Sequence, residues 1–269
     1  MASARAGMMG PPSNSPSPPL SAPMKITIGI PVRRLALLGA VLVLAAVNLC
    51  AAPANVIIRL PAGAALPASL TPLLTQWRQS GQVVRVLLLT DGRSEKAERT
   101  AKFGALAVLE FSDENSADAW QRDAAPALSG GLIVRRADIL VHAESSPRDP
   151  GHPVFVVNTY TPLVSAARFA EYVEGYVKPL YEAMRDTGHL VRYTAYLERG
   201  EKGKADALNV LEYRDRASFT IMGTLKTGIR DRLMATHPTY AQFDKIKDTL
   251  RLDGFGTAAT RTELPPPGR

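Results

Sequence analysis

The distribution of hydrophobic and polar positions repeats itself in the two halves of the chain. In the first half, short β-branched runs flank two polar segments with helical spacing, which predicts the order β-α-β-β-α-β. The predicted strands cover residues 56–60, 83–90, 105–111 and 132–143, and the predicted helices cover residues 66–79 and 115–125. Ser112 and Asp113 are expected to cap the second of these helices.

The second half follows the same order with longer helices. Its predicted strands cover residues 154–160, 190–199, 205–213 and 254–262, and its helical segments cover residues 165–187 and 215–250. Pro238 is expected to break the last of these segments, because proline cannot continue a helix. The predicted domains are a leader at 1–54, a first repeat at 55–147 and a second repeat at 153–263, with a linker at 145–153 and a helical insertion near 224–248.

The long helix predicted at residues 165–187 has one continuous apolar stripe, which we expect to pack on a sheet. The stripe consists of Phe169, Tyr172, Val173, Tyr176, Val177, Leu180, Tyr181 and Met184. Pro179 lies inside this helix, and its ring would collide with the carbonyl of Gly175, so a kink is also expected. A kink that opens a pocket beside the tyrosines is the alternative to simple core packing.

Two matching segments carry a resemblance to a known superfamily. Residues 107–120 read AVLEFSDENSADAW, and residues 211–219 read LEYRDRASF. In each segment a strand ends in an acidic–aromatic pair, an Asp follows as a cap, and an Ala and an aromatic residue lie on the next helix. Together with the repeated order of elements, this resembles the dimeric α/β-barrel superfamily in its fused, tandem form.

The resemblance implies an α+β fold, in which two ferredoxin-like β-α-β-β-α-β repeats pack as a pseudo-dimer with their sheets closed on each other. It also implies a cleft between each sheet and its helices. Members of the superfamily include cofactor-free monooxygenases, isomerases and haem-binding enzymes. The fold alone therefore does not select one activity.

The amino-terminal segment differs from the rest of the chain in composition. Residues 1–54 contain no Asp or Glu, and Lys25, Arg33 and Arg34 lead into an apolar run at residues 35–47, which small residues follow. This order predicts a secretory signal peptide cleaved after Ala54, with an uncleaved anchor as the alternative. The Pro- and Ser-rich stretch before Met24 is either an extension or lies upstream of the true start.

Removal of the signal peptide changes the charge of the protein. The full chain has 32 Lys and Arg against 25 Asp and Glu and a net charge of +7, whereas residues 55–269 keep 28 basic and all 25 acidic residues, a net charge of +3. A clustered basic surface for nucleic acid is therefore not expected, nor is membrane binding after signal removal. Cys50, the single cysteine, excludes an intramolecular disulfide and a multi-cysteine metal site.

Strand alternation places polar side chains on one face of a strand in the second repeat, where Arg192 and Tyr196 lie together. If the sheets close into a barrel, this face points inward, and Arg192 suits a carboxylate or carbonyl ligand. Tyr196 and Asn158 are then expected to orient a phenol or quinone, with Tyr172 and Tyr176 at the edge of the same pocket. In an open two-layer unit the face would be solvated instead.

The histidines offer one candidate cofactor ligand. His237, at the break before Pro238, is the candidate axial haem ligand or general base. Alternation over the strand at residues 132–143 predicts Ile139 on one face and His142 on the other. No metal site is expected, because the sequence has no HExxH motif and no pair of histidines at helical spacing.

These features predict a periplasmic or secreted small-molecule-binding protein that is a monomer or a homodimer. The activity considered is that of a cofactor-free monooxygenase or isomerase acting on an aromatic or quinone-like compound, with its catalytic residues left open. Haem binding through His237 and a non-catalytic structural or interaction role are the two alternatives.

Overall fold

A computed structural model describes residues 53–64, 66–94, 101–128, 131–145, 152–200 and 206–266, all of which belong to one compact unit. The predicted signal peptide, apart from Pro53 and Ala54, lies outside the described residues. So do most of the predicted linker and residues 201–205. Ala54 itself is buried and begins the first strand, paired with Phe111.

The described elements follow the predicted order in both repeats, and their boundaries differ from the predicted ones by at most four residues. The first repeat contains β1 (Ala54–Leu60), α1 (Leu70–Gln79), β2 (Arg85–Ser94), β3 (Ala105–Phe111), α2 (Glu114–Asp123) and β4 (Ile133–Glu144). The second contains β5 (Val154–Pro162), α3 (Ala166–Tyr172), a π-helical turn (Val173–Val177), α4 (Lys178–Arg185), β6 (Leu190–Glu198), β7 (Ala207–Tyr213), α5 (Arg216–Thr236), α6 (Pro238–Leu250) and β8 (Arg251–Thr262).

The eight strands form a closed antiparallel barrel in the order β1-β3-β2-β8-β5-β7-β6-β4, with β4 returning to β1. Each repeat contributes four neighbouring strands in the ferredoxin-like order, and the repeats join where β2 pairs with β8 and where β4 pairs with β6. The α+β prediction of two repeats packed as a barrel-type pseudo-dimer is confirmed. The open two-layer alternative is excluded, because no sheet face is left open between the repeats.

The strand register makes the two repeats directly comparable. In the first repeat Arg85 of β2 lies opposite Glu110 of β3, and in the second Arg192 of β6 lies opposite Glu212 of β7. The first strand of each repeat pairs with the third in the same way, so Asn55 opposite Glu110 corresponds to Phe155 opposite Glu212. The two Arg–Glu pairs are therefore equivalent positions in the two repeats.

Equivalent aspartates also begin the second helix of the first repeat and its counterpart in the second. The Asp113 carboxylate accepts from the backbone N–H of Ser116 at 2.7 Å, and the Asp215 carboxylate accepts from that of Ser218 at 2.6 Å. These bonds satisfy amide donors that have no partner within the helix. They hold the pKa of each aspartate below its ordinary value. The prediction of an Asp113 cap is confirmed.

Strand alternation sorts the buried side chains into three apolar clusters. One lies between the first repeat's sheet and its helices and contains Trp77 and Trp120, whose rings meet edge to face at 5.1 Å. A second lies between the second repeat's sheet and its helices, and Phe169 belongs to it. The third fills the barrel interior, where Phe155 and Tyr196 come from the second repeat.

The long apolar helix of the second repeat is interrupted where the kink was expected. A π-helical turn over Val173–Val177 separates α3 from α4, and Pro179 lies in the first turn of α4. Gly175, within the π turn, allows close approach of α6, because a Cβ atom there would lie 2.6 Å from the Phe243 ring. The interrupted helix is thus packed under α6 rather than opened into a pocket. None of the described helices is both long and apolar enough to cross a membrane.

Candidate functional site

A cavity of about 220 Å³ lies inside the barrel, near the ends of the strands where β1 and β5 begin. Both repeats contribute to it through side chains that point inward. Its lining residues are Pro53, Asn55, Arg85, Val86, Leu87, Val108, Glu110, Ile139, His142, Phe155, Arg192, Thr194, Tyr196, Val210, Glu212 and Arg261. The volume is below the range of about 300–1,000 Å³ typical of drug-sized ligands, so the cavity suits a small molecule.

The cavity combines an apolar wall with charged groups. Phe155, Val108 and Val210 belong to the buried interior cluster and form its deep side. Arg85 is exposed, and Arg261 forms an ion pair at 2.9 Å with Glu263 outside the cavity. A partly apolar ligand with one polar end fits this distribution of side chains.

In the second repeat the charged pair is closed. The Arg192 guanidinium forms an ion pair with Glu212 and lies 3.8 Å from Glu144. The side chains of Arg192 and Glu212 are 13% and 12% exposed, so this pair is largely withdrawn from water. Each charge therefore has its counter-charge within the protein.

In the first repeat the equivalent pair is open. Arg85 and Glu110 face each other across β2 and β3, yet neither has an ion pair or side-chain hydrogen bond with another described residue. Arg85 is exposed and Glu110 is partly buried. The cavity thus contains one cation and one anion that are available to a ligand.

His142 enters the cavity because β4 contains an irregularity. The register between β4 and β6 shifts between Ile139 and Val141, so that Ile139 lies opposite Tyr196 and His142 lies opposite Thr194. Both Ile139 and His142 consequently line the cavity. The prediction that strand alternation separates these two residues is wrong, since an extra residue in the strand restores both to the same face.

The His142 side chain lines the cavity, is exposed, and is held in place by one hydrogen bond. Its Nδ1 atom lies 2.8 Å from the Thr194 hydroxyl. Burial lowers the pKa of His142, with Glu144 acting in the opposite direction and Arg192 and Arg85 reinforcing the effect. A neutral imidazole with one nitrogen fixed by a hydroxyl is equipped to accept a proton.

The predicted pocket residues lie on two sides of the second repeat's sheet. Arg192 and Tyr196 line the barrel cavity, whereas Tyr172 and Tyr176 lie among the buried residues between the sheet and its helices. Asn158 lies opposite Asn209 on that helix-facing side. The prediction that all five line one pocket is therefore wrong, because the sheet separates the two groups.

The helix-facing residues form a polar cluster within an otherwise apolar core. Asn209 donates to the Tyr181 hydroxyl at 3.0 Å, and the Tyr176 hydroxyl donates to Asp244 at 2.8 Å. Tyr172 stacks on Tyr176 with ring centres 5.3 Å apart. Burial raises the pKa of both stacked tyrosines, which keeps their hydroxyls protonated. Their packing supports the core role expected for the apolar stripe.

His237 has a structural role at the junction of α5 and α6. It is the N-cap of α6, where its Nδ1 atom accepts from the backbone N–H of Tyr240 at 3.1 Å. His237 is not among the residues that line the barrel cavity. The haem-ligand role of His237 stays a prediction. The described residues also contain no group of three His, Cys, Asp or Glu side chains arranged to hold a metal ion.

Arg85, Glu110 and His142 are the cavity residues of most chemical interest that the predicted pocket did not include. A signal for the first was available, because Val84-Arg85-Val86 repeats as Val191-Arg192-Tyr193 in the equivalent strand. Glu110 was noted only as part of the acidic–aromatic pair. For His142 no comparable signal exists, since nothing in the sequence marks the irregularity in β4.

Comparison with known proteins gives no assignment from sequence. No protein family matches the chain, and no curated protein matches it. Several solved structures are similar over about four-fifths of its length. A proposed monooxygenase from Lactobacillus acidophilus has 10% identity and a TM-score of 0.46, with 80% of this chain and 97% of that chain covered.

Two further solved structures are similar to the same extent. A proposed monooxygenase from Fusobacterium nucleatum has 13% identity and a TM-score of 0.45, covering 80% of this chain and 94% of that chain. An anthrone oxidase-like protein has 10% identity and a TM-score of 0.43, covering 81% of this chain and 94% of that chain. Identity at this level assigns no role to any side chain of this protein.

Proposed function

We propose that the protein binds a small aromatic or quinone-like compound in the barrel cavity and removes a proton from it with His142. The observation that carries the proposal is a neutral, oriented imidazole in a partly apolar cavity that also contains free charge. Arg192 and Tyr196 line the same cavity, where Arg192 is already paired with Glu212 and Tyr196 is available to contact the ligand. Tyr172, Tyr176 and Asn158 have no part in this site.

The apolar wall is suited to the ring of such a compound. Phe155, Val108 and Val210 offer aromatic and branched aliphatic surface at the deep side of the cavity. An acidic oxygen on the ring would then face the mouth, where Arg85 lies. Guanidinium groups bind such oxygens through charge-assisted hydrogen bonds, which are stronger than neutral ones.

Proton transfer by His142 completes a simple reaction. The imidazole takes a proton from a C–H or O–H group of the bound compound, and the Arg85 side chain stabilises the resulting anion. Return of the proton from the imidazolium to a different atom of the compound gives an isomer and restores the neutral imidazole. This isomerisation needs no other reactant, and it is the activity we favour.

Oxygenation is the second activity that the same proton removal permits. If the anion reacts with molecular oxygen, a methylene group of the compound becomes a carbonyl and the remaining oxygen atom leaves as water. The electrons then come from the compound itself. Measured oxygen uptake, in proportion to the compound consumed, distinguishes this activity from isomerisation.

Ligand screening by thermal shift tests the binding part of the proposal, because a ligand that binds only the folded state raises the melting temperature. Compounds that bind in the cavity should lose their effect in Val210→Phe, which fills it. The exposed Val84→Phe variant is the matched control and should retain the shift. Ligands that stabilise all three proteins equally would contradict binding in the barrel.

Deuterium exchange tests the chemical part. A compound that loses a proton to His142 should exchange that hydrogen in deuterated water, as followed by NMR. His142→Gln should slow the exchange by about 100-fold or more, which is the usual contribution of a positioned base. Because burial lowers the pKa of His142, the rate should already be at its plateau at pH 7 and fall as the pH drops through that lowered pKa. Unchanged exchange in the variant would rule out this role.

Export is the remaining part of the proposal. It rests on the charged, apolar and small-residue order of residues 1–54. Amino-terminal sequencing of the protein recovered from its natural compartment tests it, and a start near Asn55 is expected. An intact leader in a soluble fraction from inside the cell would contradict export.

A further inference from the structure

The barrel cavity contains the same cross-strand Arg–Glu pair twice, but the two copies are used differently. Arg192 and Glu212 neutralise each other. Arg85 and Glu110 have the equivalent register, yet form no ion pair or side-chain hydrogen bond with another described residue. The first repeat therefore presents a cation and an anion side by side at the mouth of the cavity.

We propose that Arg85 and Glu110 determine specificity, by selecting a ring compound that carries a carboxylate and, on the neighbouring ring atom, a hydrogen-bond donor. Arg85 donates to the carboxylate, and Glu110 accepts from the amino or hydroxyl donor beside it. The inference rests on the proposed function, because it names the class of ligand for the same cavity.

The spacing of the two side chains sets the spacing of the ligand groups. Directly opposed residues on antiparallel strands have Cβ atoms about 4.5–5.5 Å apart. A single small ligand reaches both Arg85 and Glu110 only if its carboxylate and its donor are close together. Substituents on adjacent ring atoms satisfy this condition, whereas substituents at opposite ends of a ring point in opposite directions.

Glu110 also acts against the wrong ligands. A compound with a carboxylate but no neighbouring donor would place its negative charge near the Glu110 carboxylate, with nothing between them to share a proton. Such a juxtaposition of like charges lowers affinity and gives discrimination by repulsion as well as by attraction. Arg85 alone would bind any carboxylate. Arg85 and Glu110 together therefore select ligands more narrowly than Arg85 does by itself.

The second repeat does not offer an equivalent place. Arg192 is already bound to Glu212, and Glu144 lies 3.8 Å away as a second anion. A carboxylate ligand would have to separate a largely buried ion pair before it could bind there. The ligand's polar end is therefore expected at the first repeat and its ring against the wall formed by Phe155 and Val210.

Isothermal titration of the purified full-length chain tests the inference with four compounds: ortho-aminobenzoate, ortho-hydroxybenzoate, para-aminobenzoate and benzoate. At least one ortho compound should bind about tenfold or more tightly than both para-aminobenzoate and benzoate, since a hydrogen bond to a charged group is among the stronger ones. The two ortho compounds tell an amino donor from a hydroxyl donor.

Three variants assign the preference to the two side chains. Glu110→Gln should reduce the advantage of the ortho compound to about threefold or less, because the amide lacks the charge. Arg85→Gln should weaken every benzoate about tenfold or more, and Arg85→Lys should recover part of that loss by restoring the charge. Glu171→Gln, which removes an exposed carboxylate that does not line the cavity, is the control and should preserve the ratio between ortho-aminobenzoate and benzoate.

The outcomes separate this inference from the proposed function. Equal affinity for ortho-aminobenzoate, ortho-hydroxybenzoate and benzoate, or a full ortho preference in Glu110→Gln, would overturn the ligand class but leave cavity binding intact. The four compounds could also all fail to bind while other compounds raise the melting temperature of the wild type but not of Val210→Phe. That result too would overturn the ligand class and leave cavity binding intact. A cavity that takes no compound of any kind would overturn both.

Discussion

The two repeats share a strand order, a register and an aspartate helix cap. They differ in whether the equivalent Arg and Glu side chains form an ion pair. In the second repeat Arg192 and Glu212 are closed on each other, and in the first repeat Arg85 and Glu110 are open. One fold therefore contains the same polar pair in two states, joined in an ion pair in one repeat and unpaired in the other.

The helical layers differ as well. In the first repeat α1 and α2 pack through the perpendicular contact of Trp77 and Trp120. In the second repeat a π-helical turn and the additional α6 cover the sheet. Gly175 in the π-helical turn permits the close approach of Phe243, which lies on α6. The predicted helical insertion near residues 224–248 corresponds to the last part of α5 and most of α6, so it thickens this layer.

The largest expected effect tests whether the two repeats unfold as one barrel. Trp120→Ala should lower the free energy of unfolding by about 3–5 kcal/mol, because it empties a large buried volume. Phe169→Ala in the second repeat should cost a similar amount. Since strands from both repeats are paired around the barrel, fluorescence of Trp77 and circular dichroism should report one shared transition in both variants. Two separate transitions, each sensitive to one variant only, would show independent domains instead.

A smaller effect tests the close approach in the second repeat. Gly175→Ala should cost about 1–3 kcal/mol in the free energy of unfolding, because the new Cβ meets the Phe243 ring and overpacks the layer. Gly223→Ala is the matched control within a helix, since nothing lies within 4 Å of its Cβ position. That variant should be neutral or up to about 1 kcal/mol more stable. Equal effects of the two substitutions in urea denaturation would contradict the packing argument.

The charged pairs allow the repeats to be compared directly. Glu212→Gln should lower stability by about 1–2 kcal/mol, because it leaves the largely buried Arg192 with only the more distant Glu144. Glu110→Gln should change the free energy of unfolding by less than about 0.5 kcal/mol, since no described partner is lost. Chemical denaturation of both variants at one pH measures the difference. Similar losses in the free energy of unfolding would mean that Arg85 and Glu110 also form an ion pair in solution.

The smallest effect concerns Glu198, which lies at the opposite end of the strands and forms an ion pair with Arg59 at 2.9 Å between the repeats. Burial raises the pKa of Glu198 above its ordinary value despite this cation. Its stabilising contribution is therefore full below the unfolded-state pKa and is lost as the pH rises through the raised folded-state pKa. Because Glu198→Gln cannot ionise, the melting temperature of the wild type should fall relative to that of this variant in the same pH window. A wild type whose melting temperature rises relative to the variant as the pH increases would show that the ion pair outweighs burial.

Much of the fold could be predicted because local patterns and long-range packing agree. The strand at residues 105–111 was predicted with its observed boundaries, since a mostly apolar run is ended there by a capping segment. The inward face of β6, with Arg192 and Tyr196, followed from simple alternation. The site was harder to predict. His142 depends on an extra residue in β4, and the openness of Arg85 depends on side-chain partners that no spacing rule encodes.

The closed ring of strands has a consequence for self-association. Every described strand has a hydrogen-bonded neighbour on both sides, so this barrel offers no unpaired edge on which another strand could be added. A second molecule therefore cannot lengthen the barrel sheet, and ordered aggregates cannot grow from its edge. Contacts between whole molecules through the described residues would use the outer surfaces of helices and loops.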